Sequence, residues 1–230
     1  MKAWLILLCG GSGSRMGAPV NKVLLPLRGV PALVRAAAPF TALCEGAVAA
    51  VRSEDEDDVR RTLARFGMGR FVRAFAPGGQ TRQESVANAL ALVPPDAELV
   101  AVHDGARALV TEAVVRAALE SAEAYGSGVA AIPVTDTIKR ARADGTVTET
   151  LERSELYAMQ TPQAFRTADL RRAHALAGGD IATDDAALLE RAGLPVRLSA
   201  GSRENIKLTT PFDLTLGEAI LAQREEEEQA

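Results

Sequence analysis

The sequence predicts an α/β protein built on a mostly parallel sheet covered by helices on both faces, with one β-arm projecting from it. Three observations carry this. Apolar runs of strand length alternate with longer stretches of helical period along the whole chain. The composition is 47% hydrophobic and 24% charged with only 4% aromatic residues, which suits an Ala/Val/Leu core between helices and strands. One stretch breaks the rhythm: over residues 139–156 Thr, Val and Glu alternate about the turn-forming pair Asp144-Gly145. At 230 residues the chain is long for one small domain and short for two full ones. The expectation is one domain over 1–230, with the arm as an excursion at about 138–156.

The opening run, 4–9, reads as the first strand. Its apolar stretch is short and leads into glycines and Arg15 without a cleavage-like site, so it does not read as a secretory signal. Residues 32–43 have helical period, 47–51 make a second strand, and the charged segment 54–66 returns to a helix. A third strand covers 71–76 and a helix 82–92; the fourth strand, 99–103, ends abruptly at Asp104. The helix 112–125 closes at Gly126 and Gly128 and precedes a buried strand over 129–134. Beyond the arm come a short strand at 157–159, helices at 168–177 and 185–192, a strand at 196–199 and a last helix over 211–224. The acidic run 225–228 reads as a solvated, frayed tail. An isolated two-stranded hairpin is marginal in water, so the arm is expected to pack against a second copy, giving a homodimer.

Formal net charge is −4 and the pI about 5.4, which argues against the broad basic surface of a non-specific nucleic-acid binder. Any anion site must therefore be local, and no nucleic-acid partner is expected. No stretch approaches the roughly 18–20 apolar residues of a membrane helix, so no membrane partner is expected either. Cys9 and Cys44 are the only cysteines, and Cys9 lies inside an apolar run. That placement reads as a reduced, buried thiol and a cytoplasmic chain.

In open parallel sheets ligands bind beyond the carboxyl ends of the strands, so the loops after the predicted strands are where chemistry belongs. The first is Gly10-Gly11-Ser12-Gly13-Ser14-Arg15-Met16-Gly17, whose glycines let backbone N–H groups approach phosphate oxygens. A dinucleotide fingerprint starting at Gly11 needs glycine where Met16 stands, and a Walker A loop needs a Gly-Lys-Ser/Thr that is absent. A plain glycine-rich strand-to-helix turn stays open. Arg15 and Lys22, seven residues apart, favour a phosphate site. Two cations over a triphosphate offset the charge that builds on the α-phosphate and the leaving pyrophosphate during nucleotidyl transfer. A pair of solvated surface cations is the plainer alternative.

The loop, followed by Asn21-Lys22-Val23-Leu24-Leu25-Pro26-Leu27, resembles the signature of nucleotidyltransferases that activate sugars and polyols. The usual pattern is A-A-G-x-G-x-R-M with P-K-x-x-x downstream. Here Cys9 and Gly10 replace the two alanines and Asn21 replaces the proline, leaving the cationic pair intact. Further stretches narrow the resemblance to the 2-C-methyl-D-erythritol 4-phosphate cytidylyltransferase family. They are Gly78-Gly79-Gln80-Thr81-Arg82-Gln83-Glu84-Ser85-Val86, Val102-His103-Asp104-Gly105-Ala106-Arg107, Thr161-Pro162-Gln163-Ala164-Phe165, Thr183-Asp184-Asp185 and Asn205-Ile206-Lys207-Leu208-Thr209. These span nearly the whole chain.

The resemblance implies a Rossmann-like sheet of the nucleotide-diphospho-sugar transferase type. It implies transfer of CMP from CTP to a small polyol phosphate with release of pyrophosphate, Mg²⁺ or another divalent cation as cofactor, and dimerisation through the arm. It places Cys9, Gly10, Gly11, Gly13, Lys22, Gly79, Arg82, Ser85, Asp104 and Gly105 against CTP. A merely capped helix N-terminus is the alternative for Gly79, Arg82 and Ser85. Asp104 is implied to meet the metal on the phosphates or a substrate hydroxyl. Asp104, Arg107, Asp136, Thr137, Arg153, Thr161, Thr183 and Lys207 are implied to surround the polyol phosphate, Thr137 and Arg153 from the neighbouring subunit's arm. Arg15 and Lys22 would act on the α-phosphate, and Arg153 and Lys207 would aim the attacking phosphate; without the resemblance, Arg153 reads as only an arm salt bridge and Lys207 as only a strand-end charge. His103 reads as a structural partner of the strand end. Ala108 stands where the family usually has proline, a departure that bears on binding.

Three other functions are weighed. A ribitol 5-phosphate cytidylyltransferase shares the glycine loop and the Thr-Pro-Gln stretch, and would change only the acceptor. A catalytically silent nucleotide-binding protein is disfavoured by intact Arg15, Lys22, Asp104 and Lys207. A nicotinamide-dependent dehydrogenase is disfavoured by Met16 and by the lack of a ribose-binding acid about 20 residues after the loop.

Overall fold

The computed structural model describes residues 2–10, 21–178 and 181–229. The chain begins with β1 (Ala3–Leu8), whose residues are all buried. A small hairpin of β2 (Pro26–Leu27) and β3 (Val30–Pro31) leads into α1 (Ala32–Ala37), β4 (Gly46–Val51), α2 (Glu56–Arg65), β5 (Val72–Pro77) and α3 (Arg82–Leu90). Then come β6 (Leu99–Asp104), α4 (Glu112–Tyr125), β7 (Ser127–Pro133), the arm strands β8 (Lys139–Ala141) and β9 (Val147–Thr150), and β10 (Tyr157–Arg166). The chain closes with α5 (Thr167–Leu176), α6 (Asp185–Arg191), β11 (Leu198–Ala200) and α7 (Pro211–Gln229).

Among the described residues the main sheet has seven strands in the order β11-β7-β10-β6-β1-β4-β5. β1 pairs in parallel with β4 and β6, β4 with β5, and β7 with β11; β10 is antiparallel to both of its neighbours. The predicted α/β class therefore holds, with one reversed strand. Side chains of β1 divide by parity between two cores, Leu5 and Leu7 on one face, Trp4, Ile6 and Leu8 on the other. Helices α1, α2 and α4 contribute to the first core and α3, α5 and α6 to the second. A strand clad on both sides has no polar face to show, so it reads as an unbroken apolar run.

Three elements differ from the periodicity. The expected helix over 32–43 ends at Ala37 and tightens into a 3-10 turn over Ala38–Phe40. Pro39 has no N–H to give to the carbonyl of Arg35, which an α-helix would require. The strand expected at 157–159 continues to Arg166, with a register shift between Met159 and Gln163 where Pro162 interrupts the donor row. The acidic end is not frayed: α7 runs through it to Gln229, Glu225 pairs with Arg28 at 2.5 Å, and Gln223 bonds Glu227 at 2.9 Å.

The arm is a ribbon whose strand residues are all exposed. Arg140 and Glu149 pair across it at 2.8 Å. Exposed pairs of this kind are worth at most about 1 kcal/mol, so the ribbon has no core of its own. Among the described residues no helix is long and apolar enough to cross a membrane.

Candidate active site

Of the described residues singled out in the sequence, Gly10, Lys22, Gly79, Arg82, Ser85, Asp104 and Lys207 gather beyond the carboxyl ends of β1, β4, β5 and β6. A cleft of about 340 Å³ is lined there by Gly10, Lys22, Arg52, Gly78, Gly79, Arg82, Ser85, Asp104 and Lys207, among others. Lys22 opens the 3-10 turn Lys22–Leu24, which Asn21 caps by accepting from the N–H of Val23. Asn21 is buried and its amide also donates to the carbonyl of Cys9 at 2.7 Å and to Asp55 at 2.9 Å. The residue that stands where the family has proline thus ties the backbone of Lys22 to the end of β1. Gly11, Gly13 and Arg15 lie outside the described residues. The Cys9 thiol is fully buried; burial first, and then Asp55, push it up to about 12, so it is no nucleophile.

The next wall is the start of α3. Thr81 caps it by accepting from the N–H of Glu84, and the Glu84 carboxylate accepts from the Thr81 N–H in return. A Cβ on Gly79 would collide with the side chain of Glu84, so only glycine lets the chain fold back over its own cap. Ser85 Oγ accepts from the N–H of Gly79 and donates to the carbonyl of Thr81. At the end of β6, a Cβ on Gly105 would stand 3.0 Å from the Leu8 carbonyl oxygen, which accepts the Gly105 N–H. That close approach brings Asp104 level with the end of β1.

Asp104 is the electrostatic centre. Its Oδ2 lies 2.6 Å from Lys207 Nζ and its Oδ1 lies 3.5 Å from Arg82 Nε. Burial alone would raise its carboxyl, but the Lys207 ammonium and then Arg82 outweigh it and hold the group well below the ordinary carboxylate range. Arg82 also reaches Asp185 at 2.6 Å.

A second compartment of about 300 Å³ shares Arg82, Asp104 and Lys207 with the first and adds Arg107, Met159, Gln160, Thr161, Gln163, Thr183 and Asp184. Thr161 Oγ1 accepts the Asp104 N–H at 3.0 Å and lies 3.0 Å from His103 Nδ1. His103 Nε2 lies 3.2 Å from the Arg107 carbonyl, and the ring packs on Phe40 at 5.1 Å. This pattern is complete for a neutral imidazole with its proton on Nε2, and burial pushes His103 down to about 4. His103 is structural, as read from its position. Arg107 donates to the carbonyl of Asn205 at 2.7 Å, which ties the Asp104 loop to the Lys207 loop. Gln163 donates to Asp184 and accepts from the N–H groups of Asp185 and Ala186, so the Thr-Pro-Gln stretch holds the Thr-Asp-Asp stretch. Ala108 is buried in the first core, which gives the residue in place of proline a packing role.

Asp136, Thr137 and Arg153 are exposed and line neither compartment within the chain. Arg153 donates to the carbonyl of Thr135 at 2.7 Å, at the foot of the arm. Sequence reading missed Arg52, which lines the first cleft and is held by Asp55 at 2.6 Å. It directly follows the second predicted strand, so the carboxyl-end rule applied there would have found it. A separate cavity of about 350 Å³, lined by Glu98, Leu99, Arg166 and Arg171, lies at the opposite end of the sheet and holds no predicted site residue.

A mostly parallel sheet with glycine-led loops and cations converging on one carboxylate between two compartments is the arrangement of a nucleotidyltransferase. The model of the 2-C-methyl-D-erythritol 4-phosphate cytidylyltransferase family matches residues 3–223. The chain belongs to this family of CTP-dependent cytidylyltransferases. It is 43% identical over 229 residues to the 2-C-methyl-D-erythritol 4-phosphate cytidylyltransferase of Pelotomaculum thermopropionicum, covering 97% of this chain and 96% of that one. It is 45% identical over 228 residues to that of Synechococcus sp. WH7803, covering 96% and 99%. Its fold is similar to the crystal structure of the Thermus thermophilus enzyme, with a TM-score of 0.78 and 32% identity over 94% of this chain and 98% of that one.

Proposed function

We propose that the protein transfers the CMP half of CTP to 2-C-methyl-D-erythritol 4-phosphate, with CTP in the first compartment and the polyol phosphate in the second. The observation that carries this is the trio Arg82, Asp104 and Lys207, common to both compartments. Two polyanions brought to opposite sides of it would meet across shared cations.

The acceptor's phosphate is ionised near neutral pH, so its oxygen attacks the α-phosphorus of CTP without a protein base. The new P–O bond forms as the bond to the β-phosphate oxygen breaks, and pyrophosphate leaves with that electron pair. The protein's work is in-line placement and offset of repulsion between the two anions. Lys22 and Arg15 act on the α-phosphate, and Lys207 and Arg153 aim the acceptor. A divalent cation fits Asp104, whose Oδ1 is loosely engaged by Arg82 at 3.5 Å. Mg²⁺ needs only one or two protein carboxylates when phosphates and water supply the rest. Among the described residues no group of three or more His, Cys, Asp or Glu could hold a metal, so the ion would enter with the triphosphate. Bound there, it would neutralise triphosphate charge. The whole chain acts as one nucleotidyltransferase domain, and two buried free thiols favour the cytoplasm.

Pyrophosphate release with CTP and Mg²⁺ tests the acceptor. Release confined to 2-C-methyl-D-erythritol 4-phosphate is expected; equal release with ribitol 5-phosphate would move the chain to the sister activity.

The arm supplies Arg153 to the site of a second copy in a homodimer. Mixed dimers of Lys22→Ala and Arg153→Ala chains should then regain activity, because one of their two sites is intact. Random mixing predicts about a quarter of the wild-type rate. No regain on mixing would place Arg153 in its own chain's site or outside any site.

A further inference from the structure

Arg82 starts α3, yet it is held from behind by a residue 103 positions later. Its Nη1 donates to Asp185 Oδ2 at 2.6 Å, and the Asp185 side chain is 1% exposed. The backbone of Asp185 is itself fixed, its N–H given to Gln163 Oε1 at 3.1 Å. Burial would raise this carboxyl, and Arg82 first, with nearby His174, outweighs it to hold the group low.

The pair is not an economical way to stabilise a core. Asp185 Oδ1, His174 Nε2 and Arg82 Nη2 are all buried without a hydrogen-bond partner, and His174 stands 3.7 Å from Asp185, too far for one. Buried ion pairs can often be replaced by apolar residues at no loss of stability. What this pair does achieve is geometric. The planar guanidinium lies between two carboxylates, close to Asp185 and at 3.5 Å from Asp104. Without the rear carboxylate, Arg82 would close onto Asp104 and compete there with Lys207.

We propose that Asp185 is a positioning residue for nucleotidyl transfer: it holds the Arg82 guanidinium between the two compartments and away from Asp104. The proposal rests on the reading of Arg82 as a nucleotide contact. Steady-state kinetics on Asp185→Asn, Arg82→Ala and the double variant test it. Asp185→Asn, which keeps the shape and removes the charge, should raise KM for CTP about tenfold, with a smaller change in kcat. Added to Arg82→Ala, the same substitution should change KM by less than about twofold, because its target is gone. Independent effects in the double variant, or a folded Asp185→Asn with wild-type KM for CTP, would overturn the proposal. An unchanged KM for CTP in Arg82→Ala would instead remove Arg82 from the nucleotide site, and the proposal with it. If Asp185→Asn does not fold, Asp185→Glu, which keeps the charge but displaces it, takes its place in the cycle with the same outcomes.

Discussion

Lys22→Ala is expected to lower kcat by about 10²- to 10³-fold, the range for removing one preorganised group that faces charge developing in a transition state. The backbone of Lys22 is held on three sides through its neighbour. Asn21 caps the turn, binds the end of β1 through Cys9, and reaches Asp55, which also holds Arg52 in the same cleft. A side chain launched from so fixed a base needs no backbone ordering when substrate arrives. An interaction made only in the transition state lowers kcat and kcat/KM together, and that is the pattern expected. A Lys22→Ala enzyme within about threefold of wild-type turnover would remove the residue from this role.

Lys207→Ala is expected to act on both chemistry and stability. Lys207 is the closest partner of Asp104, so its loss should lower kcat/KM for the polyol phosphate by about 10²-fold through misaimed attack. It also leaves a buried carboxylate facing Arg82 at 3.5 Å. Breaking a fully buried pair costs about 3–5 kcal/mol, but the Lys207 side chain is 41% exposed and screened, so about 1 kcal/mol is expected. The pH dependence has a definite sign. The Asp104 carboxyl is depressed in the fold, so its contribution is fully present above the unfolded value of about 4 and is lost as pH falls through the folded value. With Lys207 gone the depression shrinks, so stability should drop at pH 7 and change less on acidification. Urea midpoints at pH 7 and below pH 4 measure this; an unchanged acid slope would mean that Lys207 does not set the Asp104 carboxyl.

The alternation of buried strands and helices is legible residue by residue, because strands clad on both faces carry unbroken apolar runs and helices carry a 3.6-residue period. The sequence also placed Lys22, Arg82, Asp104 and Lys207, since these stand at or next to the ends of legible elements or match family motifs. What it could not carry was pairing between distant segments. Nothing local in Tyr157–Arg166 says that this strand runs against its neighbours, and nothing local to Arg82 names Asp185 as its partner. Asn21 reads in sequence as a departure from pattern, and only its long-range bonds to Cys9 and Asp55 reveal the fixed turn it makes. The acidic end reads as solvated, and in the fold Arg28, at the turn of the β2–β3 hairpin, pairs with Glu225 and its N–H bonds Glu218, holding the helix that carries them. Periodicity and turn chemistry are set by neighbours along the chain. Register, strand direction and the partner of a buried charge are set by which elements share a core, and that is decided when the sheet assembles.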